Sequence, residues 1–412
     1  MNQPETMGFD KKLPMTSVPL TASIQPRMLT AAYYLSFILL GLATAAEGPS
    51  LPTLARHTAS PLSQISLIFV FGALGYLLGT MAGGWLYDRL PGHRVIASAM
   101  VLILVAALFF PLATRLWFLL LSAFCLGLGK GTLDVGCNAL LQWLHGDKVG
   151  PYMNGLHFCF GLGSFLSPIL LAQIISTTGE IYWVFWIIAI LTIPMAVWFW
   201  FLPDLPARHR PVRQDTGVIR LVPVLLIVLA FFIYVGAETG FANWIYTYAI
   251  TLKLATTIGA AYLTSAFWGS FTIGRFLGVW ITTRARSQTI LFADLAGGLG
   301  SLGLIILAHD SQILVWTGSI LFGLSLASIF PTILILAGES MQINGLLTGW
   351  FLVGAALGNM FLPWVIGQAF TSIGPHAMMI ILMADLALEV LALLILVLSR
   401  QSSASRAELP QS

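Results

Sequence analysis

Lys130, Asp134, Asn138 and Gln142 follow one another at intervals of four residues within GLGKGTLDVGCNALLQ, residues 127–142. On a helix each step of four advances about 400°, so the four side chains form one slowly turning polar stripe. Lys130 and Asp134 stand at i, i+4 and can pair, which lowers the cost of burying both. Two roles fit such a pair. It is either a structural ion pair that holds its helix, or Asp134 is a protonation or cation site that Lys130 tunes. Asn138 and Gln142 would then offer amide donors and acceptors to hydroxyl-rich cargo.

Other polar residues stand in equally apolar surroundings. Glu47 lies in Ala45-Ala46-Glu47-Gly48-Pro49, where Pro49 removes a backbone donor and disfavours helical geometry at Gly48. That predicts a bent or broken helix, a feature tolerated at membrane depth where it lines a cavity. Glu47 is therefore grouped with Lys130 and Asp134 as an ion-coupling candidate; the alternative is a helix-end glutamate facing water. Glu238 has Tyr234 one turn before it and Asn243 and Trp244 just after. An acid and an amide suit hydroxyls, and aromatic faces suit the C–H side of a sugar ring. His157 shares a helical face with Asn154, Gly161 and Ser164, and reads as a cavity hydrogen-bonder in preference to a proton relay. Trp268 and Asn359 complete the candidate substrate set, with helix packing as their alternative. Arg275 is a further intramembrane charge. Asp385 and Glu389 are one turn apart near the C-terminus and find no place in this site.

The elements that must position these residues follow from composition. Of 412 residues, 58% are hydrophobic and 8% charged, with a formal net charge of +3. Ordinary soluble domains carry roughly a quarter charged residues, so this is an all-α polytopic membrane protein whose partner is the lipid bilayer. Its basic residues are scattered between apolar runs, which excludes nucleic acid as a partner. Cys125, Cys137 and Cys159 all fall in apolar segments without metal-ligand spacing, so no metal site and no cofactor is expected. No H-E-x-x-H, nucleotide-binding loop or Gly-x-Ser-x-Gly is present, and an enzyme is not expected.

A spanning helix needs about 20 mostly apolar residues. That criterion marks twelve transmembrane helices: 28–55, 62–87, 95–113, 117–143, 152–177, 182–202, 221–250, 258–282, 289–308, 313–336, 346–371 and 378–399. They form two six-helix bundles, 27–202 and 221–399, joined by a proline- and arginine-rich cytoplasmic linker, 203–220. Residues 1–26 and 400–412 read as cytoplasmic tails, the first of them disordered. With the amino terminus inside, inner segments hold fourteen basic residues and outer ones only Arg56, Arg115 and Lys253, which places both termini in the cytoplasm. The halves also match when shifted by about 195 residues. GGWLYDR at 83–89 lies over GVWITTR at 278–284, Phe37 and Gly41 over Phe232 and Gly236, and Gly163 and Pro168 over Gly358 and Pro363. Parallel six-helix repeats build many secondary transporters, with the substrate site between the halves near the midplane.

Several stretches carry a family resemblance. GWLYDRLPGHR resembles the loop between helices 2 and 3 of the major facilitator superfamily, with Gly84, Asp88, Arg89, Gly92 and Arg94 in role, an inserted Pro91 and His93 at a basic position. The resemblance implies a gating loop at Gly84, Asp88, Arg89 and Arg94. GTLDVGCNALL, HGDKVGPYMNGLHFCFGLGSFLSP, YVGAE and AAYLTSAFWGSFTIGRFLGVW resemble the fucose permease group, most closely its branch of sodium-dependent glucose transporters. This implies proton coupling at Asp134 and cargo binding at the motif carrying Glu238. Lys130 and Glu47 depart from the family's pattern, which leaves H+, Na+ or no coupling ion open.

The function expected is secondary-active movement of a hexose-like monosaccharide by alternating access, in a monomer of the cell (inner) membrane. Two alternatives remain. Export of drugs or amphipathic lipids is disfavoured because Gly161-Leu162-Gly163-Ser164-Phe165-Leu166-Ser167-Pro168 does not reproduce the G-x-x-x-G-P-x-x-x-G motif of drug antiporters. A non-transporting receptor or sensor has no evident need of several buried acids.

Overall fold

The structure, a computed structural model, describes residues 26–203, 221–281, 283–307, 311–341 and 345–407. Most of the expected N-terminal tail, nearly all of the linker, and residues 408–412 lie outside these.

In lipid every backbone amide must be satisfied within its own segment, and the apolar runs fold accordingly into helices. The first half holds α1 (Pro26–His57), α2 (Leu62–Ile65), α3 (Leu67–Tyr87), α4 (Gly92–Phe109), α5 (Leu116–His145), α6 (Val149–Thr178) and α7 (Tyr182–Phe201). The second holds α8 (Leu221–Thr251), α9 (Thr257–Ile281), α10 (Ser287–Leu307), α11 (Gln312–Leu326), α12 (Ile329–Ser340), α13 (Gly345–Ser372) and α14 (Ala377–Ala407). Ten segments of the described residues are long and apolar enough to cross a membrane, and one of them, Leu116–Thr178, contains both α5 and α6. The polar helix α9, with Ser270, Thr272 and Arg275, is not among the ten but packs inside the bundle against α6 and α11.

Two expected spans are divided. The second splits at Ser66 into α2 and α3, and the tenth splits at Ala327 and Ser328 into α11 and α12. Pro331 accounts for the latter break: it cannot donate a backbone hydrogen bond and is tolerated in the first turn of α12. The break expected at Pro49 is absent, because α1 runs unbroken through Pro49 and Pro52. Within this stretch Ser50 also donates its hydroxyl to the carbonyl of Ala46, one turn back, at 2.7 Å. The last helix reaches Ala407, beyond the expected end of the span.

The internal repeat is visible as packing. α1 crosses α6 where Gly163 lies on the Ile38 carbonyl, and α8 crosses α13 where Gly358 lies on the Phe232 carbonyl. A Cβ at either glycine would overlap that carbonyl. Trp85 stacks under Arg89 at 4.3 Å, and Trp280 stacks under Arg284 at 3.6 Å, one pair in each half.

The halves meet along α1 with α8, α6 with α9, and α2 and α3 with α13. Gln173 donates to the Tyr262 hydroxyl at 2.6 Å, Gln368 to the Ser63 carbonyl at 2.7 Å, and the Ser63 amide to Thr371 at 3.1 Å. These contacts lie at the end of the bundle that carries the 58–61 and 252–256 connections. At the opposite end α1, α5 and α6 frame a cleft of about 570 Å³ lined by Arg27, Thr30, Tyr34, His145 and Tyr152.

Candidate functional site

The polar stripe of α5 is held by what lies behind it. Gly127 and Gly131 approach the carbonyls of Gly72 and Tyr76 so closely that no side chain fits, which locks α5 against α3. Positions 130 and 134 then differ by about 40° around the helix, enough to face different neighbours. Lys130 Nζ reaches Glu47 Oε1 on α1 at 2.5 Å, with side-chain exposures of 10% and 14%. The pairing of Lys130 with Asp134 expected from their spacing is therefore corrected. The Asp134 carboxylate instead accepts from the Tyr76 hydroxyl of α3 and from the Asn138 amide at 2.8 Å. With those two donors Asp134 is already hydrogen-bonded, whereas Glu47 offers Lys130 a carboxylate on the facing helix.

Asn138 also donates to the Asp134 carbonyl at 2.9 Å, and Gln142 donates to the Gly146 carbonyl at 3.3 Å at the end of α5. Both amides expected to contact cargo are thus engaged with protein. Asn138 braces Asp134, and Gln142 closes the last turn.

A second polar centre lies between α6, α8 and α9. Glu238 is 9% exposed, and Arg275 is within electrostatic reach of both Glu238 and His157, which sit on opposite halves. The Arg275 guanidinium rests on the Phe271 ring at 4.4 Å. The Tyr234 hydroxyl is buried beside Glu238 and Arg275 without a well-formed hydrogen bond. His157 stands exposed on α6, edge-on to Phe37 at 5.9 Å. Asn154 is likewise exposed one turn earlier, while Gly161 and Ser164 are buried against the other helices. The face expected from spacing therefore changes from open to packed along its length.

The remaining candidates divide. Asn243 donates to the Thr239 carbonyl at 2.9 Å and its backbone receives Gly48, the neighbour of Glu47. Trp244 is fully buried, donates to the Pro363 carbonyl at 2.8 Å and packs on Phe69 and Phe370. Its indole is committed to the contact between halves, so its expected role as a sugar platform is corrected. Trp268 is 4% exposed, among Phe160, Phe267 and Phe271. Asn359 is half-buried on α13, next to the tight crossing at Gly358.

In the loop between α3 and α4, Asp88 follows the last turn of α3, Arg89 stacks on Trp85, and Gly84 faces open space. Arg94 lies in the first turn of α4. The neighbouring His93 is fully buried, bonded at 2.7 Å to the Tyr33 hydroxyl and at 2.7 Å to the Pro203 carbonyl. It ties α1 and α4 to the chain leaving α7.

Sequence reasoning missed Tyr76 and Asp294. Tyr76 is a phenol in the middle of a glycine-rich apolar run, with Thr80 one turn on, a local signal that could have found it. Asp294 on α10 accepts from Ser328 at 2.5 Å, at the break between α11 and α12.

Fourteen helices among the described residues, arranged as two repeated halves with charged residues buried between them, are the architecture of a membrane transporter. The chain belongs to the Major Facilitator Superfamily, whose family model matches residues 33–363. It is 29% identical over 81% of its length to sodium-dependent glucose transporter 1A of Mus musculus, covering 88% of that protein. It is 30% identical over 79% of its length to sodium-dependent glucose transporter 1 of Xenopus laevis, covering 72% of it. The crystal structure of a D-xylose-proton symporter has the same fold, with a TM-score of 0.74 at 15% identity over 90% of this chain and 97% of that one.

Proposed function

We propose that the protein moves a hexose-like monosaccharide across the cell (inner) membrane by alternating access, as a monomer with both termini in the cytoplasm. The observation that carries this reading is the pair of polar centres at the seam, one on α1, α3 and α5 and one on α6, α8 and α9, in a chain whose relatives are sodium-dependent glucose transporters. Charges at membrane depth cost at least about 2.5–3.5 kcal/mol each on insertion scales, so their convergence calls for a function.

Glu238 offers acceptors to sugar hydroxyls, Arg275 offers guanidinium N–H donors and His157 a ring N–H, with Tyr234 and Asn243 beside them. Asp134 is the coupling acid. It has no basic partner, since Lys130 is held by Glu47, and so it is the carboxylate available to H+ or Na+. The end sealed by Gln173 with Tyr262 and by Ser63 with Gln368 is the one that the basic-residue distribution places outside. The arrangement is accordingly inward-facing, and rocking of 27–202 against 221–399 opens the other side.

Counterflow in proteoliposomes with a panel of labelled hexoses and pentoses, with and without Na+ and a pH gradient, tests the reading. A hexose signal is expected. Silence under every condition would favour export of an amphipath. Asp134→Asn is expected to abolish accumulation against a gradient while leaving exchange; undiminished accumulation removes Asp134 from the mechanism.

A further inference from the structure

Asp385 and Glu389 stand one turn apart on α14, on the face whose neighbours Leu382, Leu386 and Leu393 are buried. That face packs on α8, α10 and α13. Leu382 meets the backbone at Gly240 of α8, and Leu386 meets Gly298 of α10 beside Phe322. Glu389 is 0% exposed, and neither of its carboxyl oxygens has a hydrogen-bond partner; Asp385 Oδ2 is buried and unpartnered as well. A buried carboxylate without donors is among the costliest groups a protein can hold, and a second carboxylate one turn away makes double ionisation worse.

The neighbouring helices supply no counter-charge. On α8 the titratable groups near this level are Tyr234 and Glu238, which are turned towards Arg275 of α9. His376 and Tyr248 meet edge to face farther along, towards the end of α14 that carries Ala377. On α10 Asp294 is turned to Ser328. α13 carries no Asp, Glu, His, Lys or Arg. Among the described residues no group of three or more His, Cys, Asp or Glu gathers here as a metal cation would require.

We propose that Asp385 and Glu389 form a proton-binding site in the second half, remote from the seam, with Glu389 as the group that holds the proton. A carboxylate takes up H+ from water to become the neutral acid, and no other reactant is needed. Asp385 is only half-buried and lies one turn closer to the Ala377 end of α14. The site lies behind α8, the helix that carries Glu238, and it stands whether or not the cargo is a sugar.

Infrared spectra of the reconstituted full-length protein at about neutral pH test this directly. The wild type minus Glu389→Gln difference is expected to show the C=O stretch of one protonated carboxyl, and Asp385→Asn is expected to shift that band. Coincident spectra would overturn the proposal. A site that must be neutral in the fold but ionises freely in the unfolded chain loses stability as pH rises. The wild-type melting temperature is therefore expected to fall by about 2 °C or more between about pH 6 and about pH 9, and Glu389→Gln to flatten that dependence. An equal slope in Glu389→Gln overturns the proposal. So does an Na+-induced stabilisation at fixed pH that Glu389→Gln removes, since that marks a metal-cation site. If Glu389→Gln fails to fold, the band shift in Asp385→Asn decides, and its absence counts against the site.

Discussion

Replacing Lys130 by Met leaves the Glu47 carboxylate buried without its partner, and replacing Glu47 by Gln leaves the ammonium so. At an N···O distance of 2.5 Å, and with an effective dielectric constant of about 20, the Coulomb attraction is roughly 6–7 kcal/mol. Desolvation of two groups that keep only 10% and 14% of their side-chain exposure offsets much of that. What remains on losing one partner of a buried pair is about 3–5 kcal/mol. Each single variant should therefore melt at least about 6 °C lower in detergent, taking about 2 °C per kcal/mol for a large domain. The double variant Glu47→Gln with Lys130→Met removes both charges, and is expected to recover to within about 2 °C of the wild type. The same cycle run on Lys130→Met with Asp134→Asn should show the smaller interaction energy, because Asp134 is held by Tyr76 and Asn138. A larger coupling of Lys130 to Asp134 than to Glu47, or a double variant as unstable as the sum of the singles, would refute the assignment.

Further outcomes follow from other contacts. Glu238→Gln leaves Arg275 without its nearest acid and should weaken cargo binding about 10- to 100-fold in counterflow, as loss of a charge-assisted hydrogen bond does; an unchanged half-saturation would exclude Glu238 from the cargo site. Gly163→Ala and Gly358→Ala each drive a methyl group into a backbone carbonyl, and each should destabilise by about 1–3 kcal/mol in thermal unfolding, equivalently in the two halves. His93→Ala removes the bridge from Tyr33 to Pro203, a loss of about 1–3 kcal/mol in the same assay, while His93→Gln should retain part of it. Cysteines at Gln173 and Tyr262, whose long side chains meet tip to tip at 2.6 Å, should be bridged by a short, cleavable bifunctional thiol reagent that arrests transport until it is cleaved; undiminished transport in the cross-linked protein would contradict alternating access.

The rods were legible in the sequence because lipid imposes a minimum length and forbids unsatisfied backbone, so apolar runs map onto helices with little freedom. The pairing of side chains was not legible to the same degree. Lys130 sits four residues from Asp134 but bonds to Glu47, 83 positions away, because the rotation of α5 is set by Gly127 and Gly131 against α3. Trp244 illustrates the same limit: an indole beside an acid suggests a sugar platform, and only its bond to Pro363 and its contact with Phe69 across the seam show it packed away. The break at Ala327 and Ser328 did have a local signal in Pro331, whereas the same signal at Pro49 goes with an unbroken α1.

The repeat supplies a way of separating scaffold from chemistry. The contacts it preserves are structural: the glycine crossings at Gly163 and Gly358, and the stacked pairs Trp85 with Arg89 and Trp280 with Arg284. The charges are what it does not preserve. A shift of about 195 residues carries Glu47 to Ala242, Lys130 to Ser325 and Asp134 to Ile329, and carries Glu238 back to Ala43 and Arg275 back to Thr80. A charge needed to hold a half together would be needed in both halves, since both have the same crossings. Each centre occurs once, the first on α1, α3 and α5 and the second on α6, α8 and α9, so the repeated scaffold does not account for either. The same reasoning applies to Glu389. Its counterpart under the shift is Pro194, in the middle of α7, so the acid of α14 is an addition to the second half and calls for a role of its own.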